Sequence, residues 1–117
     1  NRLYALEKEV FFGLNSIKIL KLNHNKLQLI KNYYFINLNT IEKLFLQSNQ
    51  ISVIESNSFN SLSSITTLDL NSNMIFNFNS AVFLECKMLT ILNLRLNDQV
   101  SKYNLKSSDM VNVNEFY

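Results

Sequence analysis

Residues that turn a chain sharply are almost missing from this sequence. Of its 117 residues, none is proline and only Gly13 is glycine. Tight β-hairpins depend on glycine, proline and asparagine at defined turn positions, and an all-β protein built from them needs more such residues than this chain has. The chain must therefore turn its corners by another device that it repeats.

Charge of one sign, cysteine and long apolar runs are also scarce. The 11 basic and 9 acidic residues give a net charge of +2, which is too balanced to favour nucleic acid or an anionic membrane as the main partner. No apolar run approaches the roughly 20 residues that span a bilayer, so membrane attachment is expected only through segments outside this chain. The lone Cys86 excludes an intrachain disulfide and does not by itself indicate a compartment.

A 24-residue repeat runs through the sequence, and two residue types mark it in the same phase. The asparagines of the first series are Asn1, Asn25, Asn49, Asn73 and Asn97. The phenylalanines of the second series are Phe11, Phe35, Phe59 and Phe83. Each repeat has seven apolar positions, the phenylalanine among them, in the pattern LxxLxLxxNxLxxLxxxxFxxL. A fixed period of this kind predicts a solenoid, in which each turn buries its apolar side against its neighbours.

The period also predicts the boundaries of the repeats. They are a partial repeat 1–16, full repeats 17–40, 41–64 and 65–88, an irregular repeat 89–112, and the start of a further repeat at 113–117. In the irregular repeat, Gln99 and Lys102 occupy apolar positions and Ser107 stands in the phenylalanine column, so 98–109 is either a degenerate repeat or a loop. Both ends lack the caps of a solenoid, and we expect the chain to be a piece of a longer protein.

Each repeat begins with the alternation of a short strand that has one buried face. In the segment 19–23, Leu20 and Leu22 point inward and the other residues point outward. The corresponding strands of successive repeats are expected to stack in parallel. The asparagine that follows can both donate and accept hydrogen bonds, so its column is expected to bond the backbone of neighbouring turns. The phenylalanine column is expected to stack as a spine.

The pattern resembles the leucine-rich-repeat family over residues 1–97. The 24-residue length and the phenylalanine column are similar to the typical class of that family, and Phe83-xx-Cys86-xx-Leu89 is similar to repeats of Toll-like receptor ectodomains. The resemblance implies an α/β solenoid, a horseshoe with short parallel strands on its concave face and irregular or short helical segments on its convex side. It also implies a ligand-recognition module of a secreted or cell-surface protein, as in Toll-like receptors, Slit-like guidance proteins and insect immune proteins.

The outward-pointing strand residues are the candidate ligand-binding residues, because the concave face is the broadest regular surface of such a solenoid. They are Ile19, Lys21, Asn23, His24, Lys43, Phe45, Gln47, Asp69, Asn71, Ile91, Asn93 and Arg95. The exposed aromatic Phe45 is the most suggestive, since aromatic residues are enriched at interface hot spots. With Ile19 and Ile91 it is expected to form an apolar centre inside a polar rim. Single exposed apolar residues are common on any surface, so the prediction concerns the whole face and a protein ligand.

No constellation of residues indicates catalysis, a metal or a cofactor. His24 is expected to be a solvated loop residue without converging metal ligands. Cys86 falls in an apolar column and is expected to be an inert buried thiol. Asp69 has no second carboxylate placed for acid–base work, and one glycine cannot form a phosphate-binding loop. We therefore expect a binding module and not an enzyme.

The cellular location has two interpretations. The resemblance favours the extracellular space or the cell surface. However, the chain is rich in asparagine and contains no N-x-[ST] glycosylation acceptor, and it has a single cysteine. These two features favour the alternative, an intracellular scaffold or the targeting arm of a larger signalling enzyme.

Overall fold

The computed structural model describes residues 2–76, 79–97 and 115–116. The strands in this part of the chain are β1 (Ile19–Lys21), β2 (Leu29–Ile30), β3 (Lys43–Phe45), β4 (Val53–Ile54), β5 (Thr67–Asp69), β6 (Ile91–Asn93) and β7 (Glu115–Phe116). One 3₁₀ turn, Ser80–Phe83, lies among the same residues. No helix within them is long and apolar enough to cross a membrane.

Five strands form one parallel sheet in the order β1-β3-β5-β6-β7. Its register has the period of the sequence, because Leu20 pairs with Leu44, Leu44 with Leu68, and Leu68 with Leu92. These leucines point into the core, where the last three are fully buried. The backbone of Leu92 pairs in turn with Phe116, so the strand expected at the end of the chain is present in phase. Residues 98–109 lie outside the described residues, and their interpretation as a loop or a degenerate repeat stays a prediction.

A second parallel sheet, formed by β2 and β4, was not expected from the sequence. Leu29 pairs with Val53 and Ile30 with Ile54, and both isoleucines are buried. The pairing follows from the solenoid itself, because equivalent segments of successive turns lie side by side. Strands of two residues leave no periodic signal that a sequence pattern can reveal.

The phenylalanine column stacks through the convex side of the solenoid. The ring centroids of Phe11 and Phe35 are 6.4 Å apart, those of Phe35 and Phe59 6.1 Å, and those of Phe59 and Phe83 5.9 Å. The interplanar angles of 14°, 15° and 8° make all three pairs stacked. Such contacts add to the large apolar area that each ring removes from water. Each repeat therefore depends on its neighbours for burial.

The partial repeat at the start of the described residues is less well buried than the sequence pattern suggests. Leu6 is buried, but Leu3 and Leu14 are exposed and Phe11 is only partly buried. Their turn has a described neighbour on one side alone, which leaves the other side open. Phe78, an apolar position of the third repeat, lies outside the described residues.

The chain turns its corner at the residue before each asparagine of the column. His24, Ser48, Ser72 and Leu96 all adopt φ values between 55° and 58°. This left-handed conformation is unusual for residues other than glycine. The asparagine that follows then holds the corner. Asn49 Nδ2 donates to the carbonyls of Leu22 (2.9 Å) and Leu46 (3.0 Å), and its Oδ1 accepts from Leu27 N (3.0 Å).

The same bonding pattern recurs along the asparagine column. Asn73 and Asn97 each donate to the carbonyl of the preceding turn and accept from a backbone N–H of that turn. Asn25 accepts from Leu3 N at 3.2 Å. Asn1 lies outside the described residues. This column takes the place of turns rich in glycine and proline, because it satisfies backbone groups that a corner would leave unpaired.

Candidate ligand-binding face

The sheet places two columns of side chains in register on its outward face. The first column runs across the strands as Ile19, Lys43, Thr67 and Ile91. The second column runs as Lys21, Phe45, Asp69 and Asn93. Because the leucine between the two columns points inward on every strand, the outward side chains are not needed for the core.

The exposure of these columns differs from the sequence-based prediction at Phe45. Ile19 is 50 % exposed and both Lys21 and Lys43 are exposed, whereas Phe45 is only partly exposed. In register, Phe45 lies between Lys21 and Asp69. Neighbouring strands are about 4.8 Å apart, which lets the flanking side chains cover part of the ring. Phe45 therefore offers only part of its surface to a partner.

The predicted apolar centre of Phe45, Ile19 and Ile91 is wrong. The sheet order β1-β3-β5-β6 places β3 and β5 between the two isoleucines. At about 4.8 Å for each strand spacing, Ile19 and Ile91 are about 14 Å apart across the sheet. Ile19 and Phe45 are diagonal neighbours on β1 and β3, while Ile91 lies beside Thr67.

Charge is distributed unevenly over the face. The one salt bridge that the described residues form in the sheet region joins Lys18 Nζ to Glu42 Oε1 at 3.3 Å, just before β1 and β3. Lys21 and Lys43 take no part in it. The Asp69 carboxylate forms hydrogen bonds within its own strand end, because its Oδ1 accepts from the backbone N (3.0 Å) and the Nδ2 (2.7 Å) of Asn71. The β1–β3 half of the face therefore carries cations without a carboxylate partner among the described residues.

The column that follows the strands contains a polar atom without a partner. Gln47 Oε1 is buried and accepts no hydrogen bond within the described part of the chain. An unpaired buried acceptor costs about 1–3 kcal/mol, so most such atoms in folded proteins are paired. Asn71, at the equivalent place in the next repeat, bonds Asp69 and Ser72. Gln47 thus holds an unpaired acceptor two residues beyond Phe45, in a place that a ligand does not reach.

His24 and Arg95 lie at the edge of the face. His24 is exposed at the corner, and its backbone N donates to the carbonyl of Gln47 at 3.0 Å. This setting agrees with a solvated loop residue. Arg95 is exposed, and its backbone N donates to Asn93 Oδ1 at 3.1 Å. The described residues contain no group of three or more histidine, cysteine or acidic side chains able to hold a metal ion.

Cys86 is a free, buried thiol on the convex side, as the sequence predicts. Its Sγ donates to the carbonyl of Phe59 at 3.5 Å. Burial, together with the charge of Glu85, raises the pKa of the thiol to about 12. Because the thiolate is the reactive form, this setting makes Cys86 chemically inert at physiological pH.

We expect Cys86 to resist thiol reagents until the chain unfolds. At pH 8, a pKa of about 12 leaves on the order of 10⁻⁴ of the thiol ionised, against roughly a quarter of a free cysteine. Labelling with a chromogenic disulfide should therefore be at least about a thousandfold slower in buffer than in denaturant. A native rate within tenfold of the denatured rate would contradict the buried placement of Cys86.

Comparison with known proteins agrees with this geometry. The leucine rich repeat family model matches residues 1–51 and 39–98. The chain belongs to the leucine-rich-repeat family. Among curated proteins, none matches the sequence significantly.

Two solved structures show what this leucine-rich-repeat chain is similar to. A crystal structure of a TLR13–ssRNA13 complex is 30% identical with a TM-score of 0.66, over 68% of this chain and 11% of that one. A structure of the Drosophila Toll–Spatzle complex, described as a hub in development and innate immunity, is 28% identical with a TM-score of 0.76, over 83% of this chain and 14% of that one. This chain thus spans little more than a tenth of either.

The two similar proteins have ligands of different classes. One is in complex with single-stranded RNA and the other with Spatzle. The balanced charge of the present chain therefore does not by itself decide between a nucleic acid and a protein. That decision has to come from the chemistry of the concave face.

Proposed function

We propose that this chain is a recognition module that binds a protein ligand through its concave face, within a cell-surface or secreted leucine-rich-repeat protein. The proposed contact residues are Ile19, Lys21, Asn23, His24, Lys43, Phe45, Gln47, Asp69, Asn71, Ile91, Asn93 and Arg95. The asparagine and phenylalanine columns hold these residues in register and have a structural role.

The observation that carries the proposal is the alternation of buried and exposed side chains along each strand. Leu44 and Leu68 are fully buried, while their neighbours in the outward columns remain partly or fully exposed. The face combines aliphatic, aromatic, cationic and amide groups, a mixture suited to a protein interface. The Toll–Spatzle complex supports the proposal, because there a similar fold is found with Spatzle.

Selection of displayed peptides tests whether the concave face binds protein segments. Random twelve-residue peptides would be panned against the purified chain, and the selected binders measured against variants. Thr67→Arg and Asn93→Arg introduce bulk on the concave face and are expected to weaken binding at least tenfold. Asn39→Arg and Asn60→Arg place the same side chain at exposed positions outside the outward strand columns and are expected to change it less than twofold.

Circular dichroism and thermal melts would confirm that all four variants fold. Binders that are insensitive to the concave variants, or sensitive only to the two control variants, would overturn the proposal. The controls are matched in the residue introduced and in the charge added. A loss of binding confined to the two concave variants therefore assigns the binding surface to the concave face.

The full open reading frame tests the cellular location. We expect a leader peptide, and labelling of the tagged full-length protein by an impermeant biotin reagent on intact cells. The absence of N-x-[ST] acceptors and the single cysteine favour the second candidate, an intracellular scaffold or targeting arm. A product that is labelled only after permeabilisation, with a signalling domain in its flanks, would support that candidate.

A further inference from the structure

Four side chains on β1 and β3 form a square of alternating chemistry, which we name the β1–β3 patch. Ile19 pairs with Lys43, and Lys21 pairs with Phe45. The two cations therefore occupy one diagonal and the two apolar side chains the other. With strands about 4.8 Å apart and about 6.6 Å between alternate residues, each diagonal spans about 8 Å. A single extended segment can contact all four corners.

The two lysines of the β1–β3 patch form no salt bridge within the described residues. Glu42, which adjoins the patch, is engaged by Lys18. Asp69 keeps its charge beside Phe45 on the next strand, but its carboxylate bonds Asn71 and pairs with neither lysine. Two unpaired ammonium groups at this spacing attract an anionic partner and penalise a cationic one.

The apolar diagonal distinguishes a peptide from a nucleic acid. Ile19 is 50 % exposed, and an aliphatic side chain gains from covering by another apolar side chain rather than by a phosphate backbone. Phe45, its diagonal neighbour, is partly exposed and gains in the same way.

We propose that the β1–β3 patch binds an acidic peptide segment that carries an apolar side chain between two carboxylates on the same face of the extended segment. The carboxylates pair with Lys21 and Lys43, and the apolar side chain covers Ile19 and the exposed part of Phe45. This inference rests on the proposed function and specifies the chemistry of the ligand at one part of the concave face.

Binding of defined probes to the whole chain tests this chemistry. The probes are fluorescein-labelled nine-residue peptides with serine at every second position, so that the remaining positions share one face of an extended chain; these positions alternate Glu with Leu, Glu with Ser, or Lys with Leu. The fourth probe is a single-stranded RNA of the same charge as the first. We expect the Glu–Leu peptide to bind at least tenfold more tightly than the other three in fluorescence anisotropy. Its affinity should fall as sodium chloride rises from about 50 to 300 mM, because exposed ion pairs are screened.

Matched variants separate the contributions of charge and of apolar contact. Lys21→Gln combined with Lys43→Gln is expected to lower the affinity for the Glu–Leu peptide at least tenfold. Lys8→Gln combined with Lys31→Gln removes the same charge outside the outward strand columns and is expected to change its affinity less than twofold. Phe45→Ser is expected to lower the affinity for the Glu–Leu peptide at least fivefold and to leave the affinity for the Glu–Ser peptide unchanged. All variants would be compared by thermal melts.

The possible failures point to different conclusions. Tighter binding of the RNA, equal binding of the Glu–Leu and Glu–Ser peptides, or indifference to the two lysines would overturn the inference. If displayed binders still lose affinity to Thr67→Arg and Asn93→Arg in that case, recognition by the concave face stands and only the ligand chemistry is wrong. If no concave variant lowers the affinity of the displayed binders, the proposed function fails as well.

Discussion

Phe59→Ala is expected to lower the free energy of unfolding by about 3–5 kcal/mol, as for other large core truncations. The Phe59 side chain is fully buried. Its ring stacks on Phe35 at 6.1 Å and on Phe83 at 5.9 Å. Removal leaves a cavity between two repeats and deprives both neighbouring rings of a contact. Urea denaturation followed by circular dichroism measures the loss.

The chain offers matched controls for this substitution. Phe12 is 80 % exposed, and Phe12→Ala is expected to change stability by less than about 0.5 kcal/mol. Phe11 is partly buried and, among the described residues, stacks on Phe35 alone, so the stability loss for Phe11→Ala should lie between the other two. A loss below about 1 kcal/mol for Phe59→Ala, or a loss no larger than that of Phe12→Ala, would contradict the assigned register of the column.

The register of the solenoid could be predicted from the sequence because it depends only on the length of the repeat. Once asparagine and phenylalanine share a 24-residue period, equivalent residues of successive repeats must pair. The pairs Leu20 with Leu44 and Leu68 with Leu92 follow directly. The family match over residues 1–51 and 39–98 confirms the leucine-rich-repeat assignment. Periodicity succeeds here because burial between neighbouring repeats is the main source of stability.

The detail of the concave face was less predictable. Ile19 and Ile91 belong to the same column, but three strand spacings separate them, and grouping them with Phe45 by side-chain chemistry gave a wrong prediction. The partial burial of Phe45 depends on its neighbours Lys21 and Asp69, whose side-chain directions no pattern specifies. The unpaired Gln47 Oε1 likewise depends on rotamers. Strand order reveals proximity, and only side-chain geometry reveals which groups remain available to a ligand.

The asparagine column gives the second large expected effect. Asn73 is only 7 % exposed. Its Oδ1 accepts from Ile51 N at 3.0 Å, and its Nδ2 donates to the carbonyls of Leu46 and Leu70, each at 3.0 Å. Asn73→Ala should cost about 2–3 kcal/mol, because it removes these bonds and leaves the buried Ile51 N–H without its acceptor. Asn60 donates to Asn57 at the surface, and Asn60→Ala, the matched control, should cost less than about 0.5 kcal/mol.

The column shares its acceptors, so a double substitution should cost more than the sum of two single ones. Asn49 Nδ2 and Asn73 Nδ2 both donate to the carbonyl of Leu46, each at 3.0 Å. After Asn73→Ala, that carbonyl keeps its bond to Asn49. After Asn49→Ala and Asn73→Ala together, it loses both side-chain donors. We expect a coupling of about 1 kcal/mol in a double-mutant cycle measured by urea denaturation. Strict additivity would show that the asparagines stabilise their corners independently, and that the shared carbonyls do not link one repeat to the next.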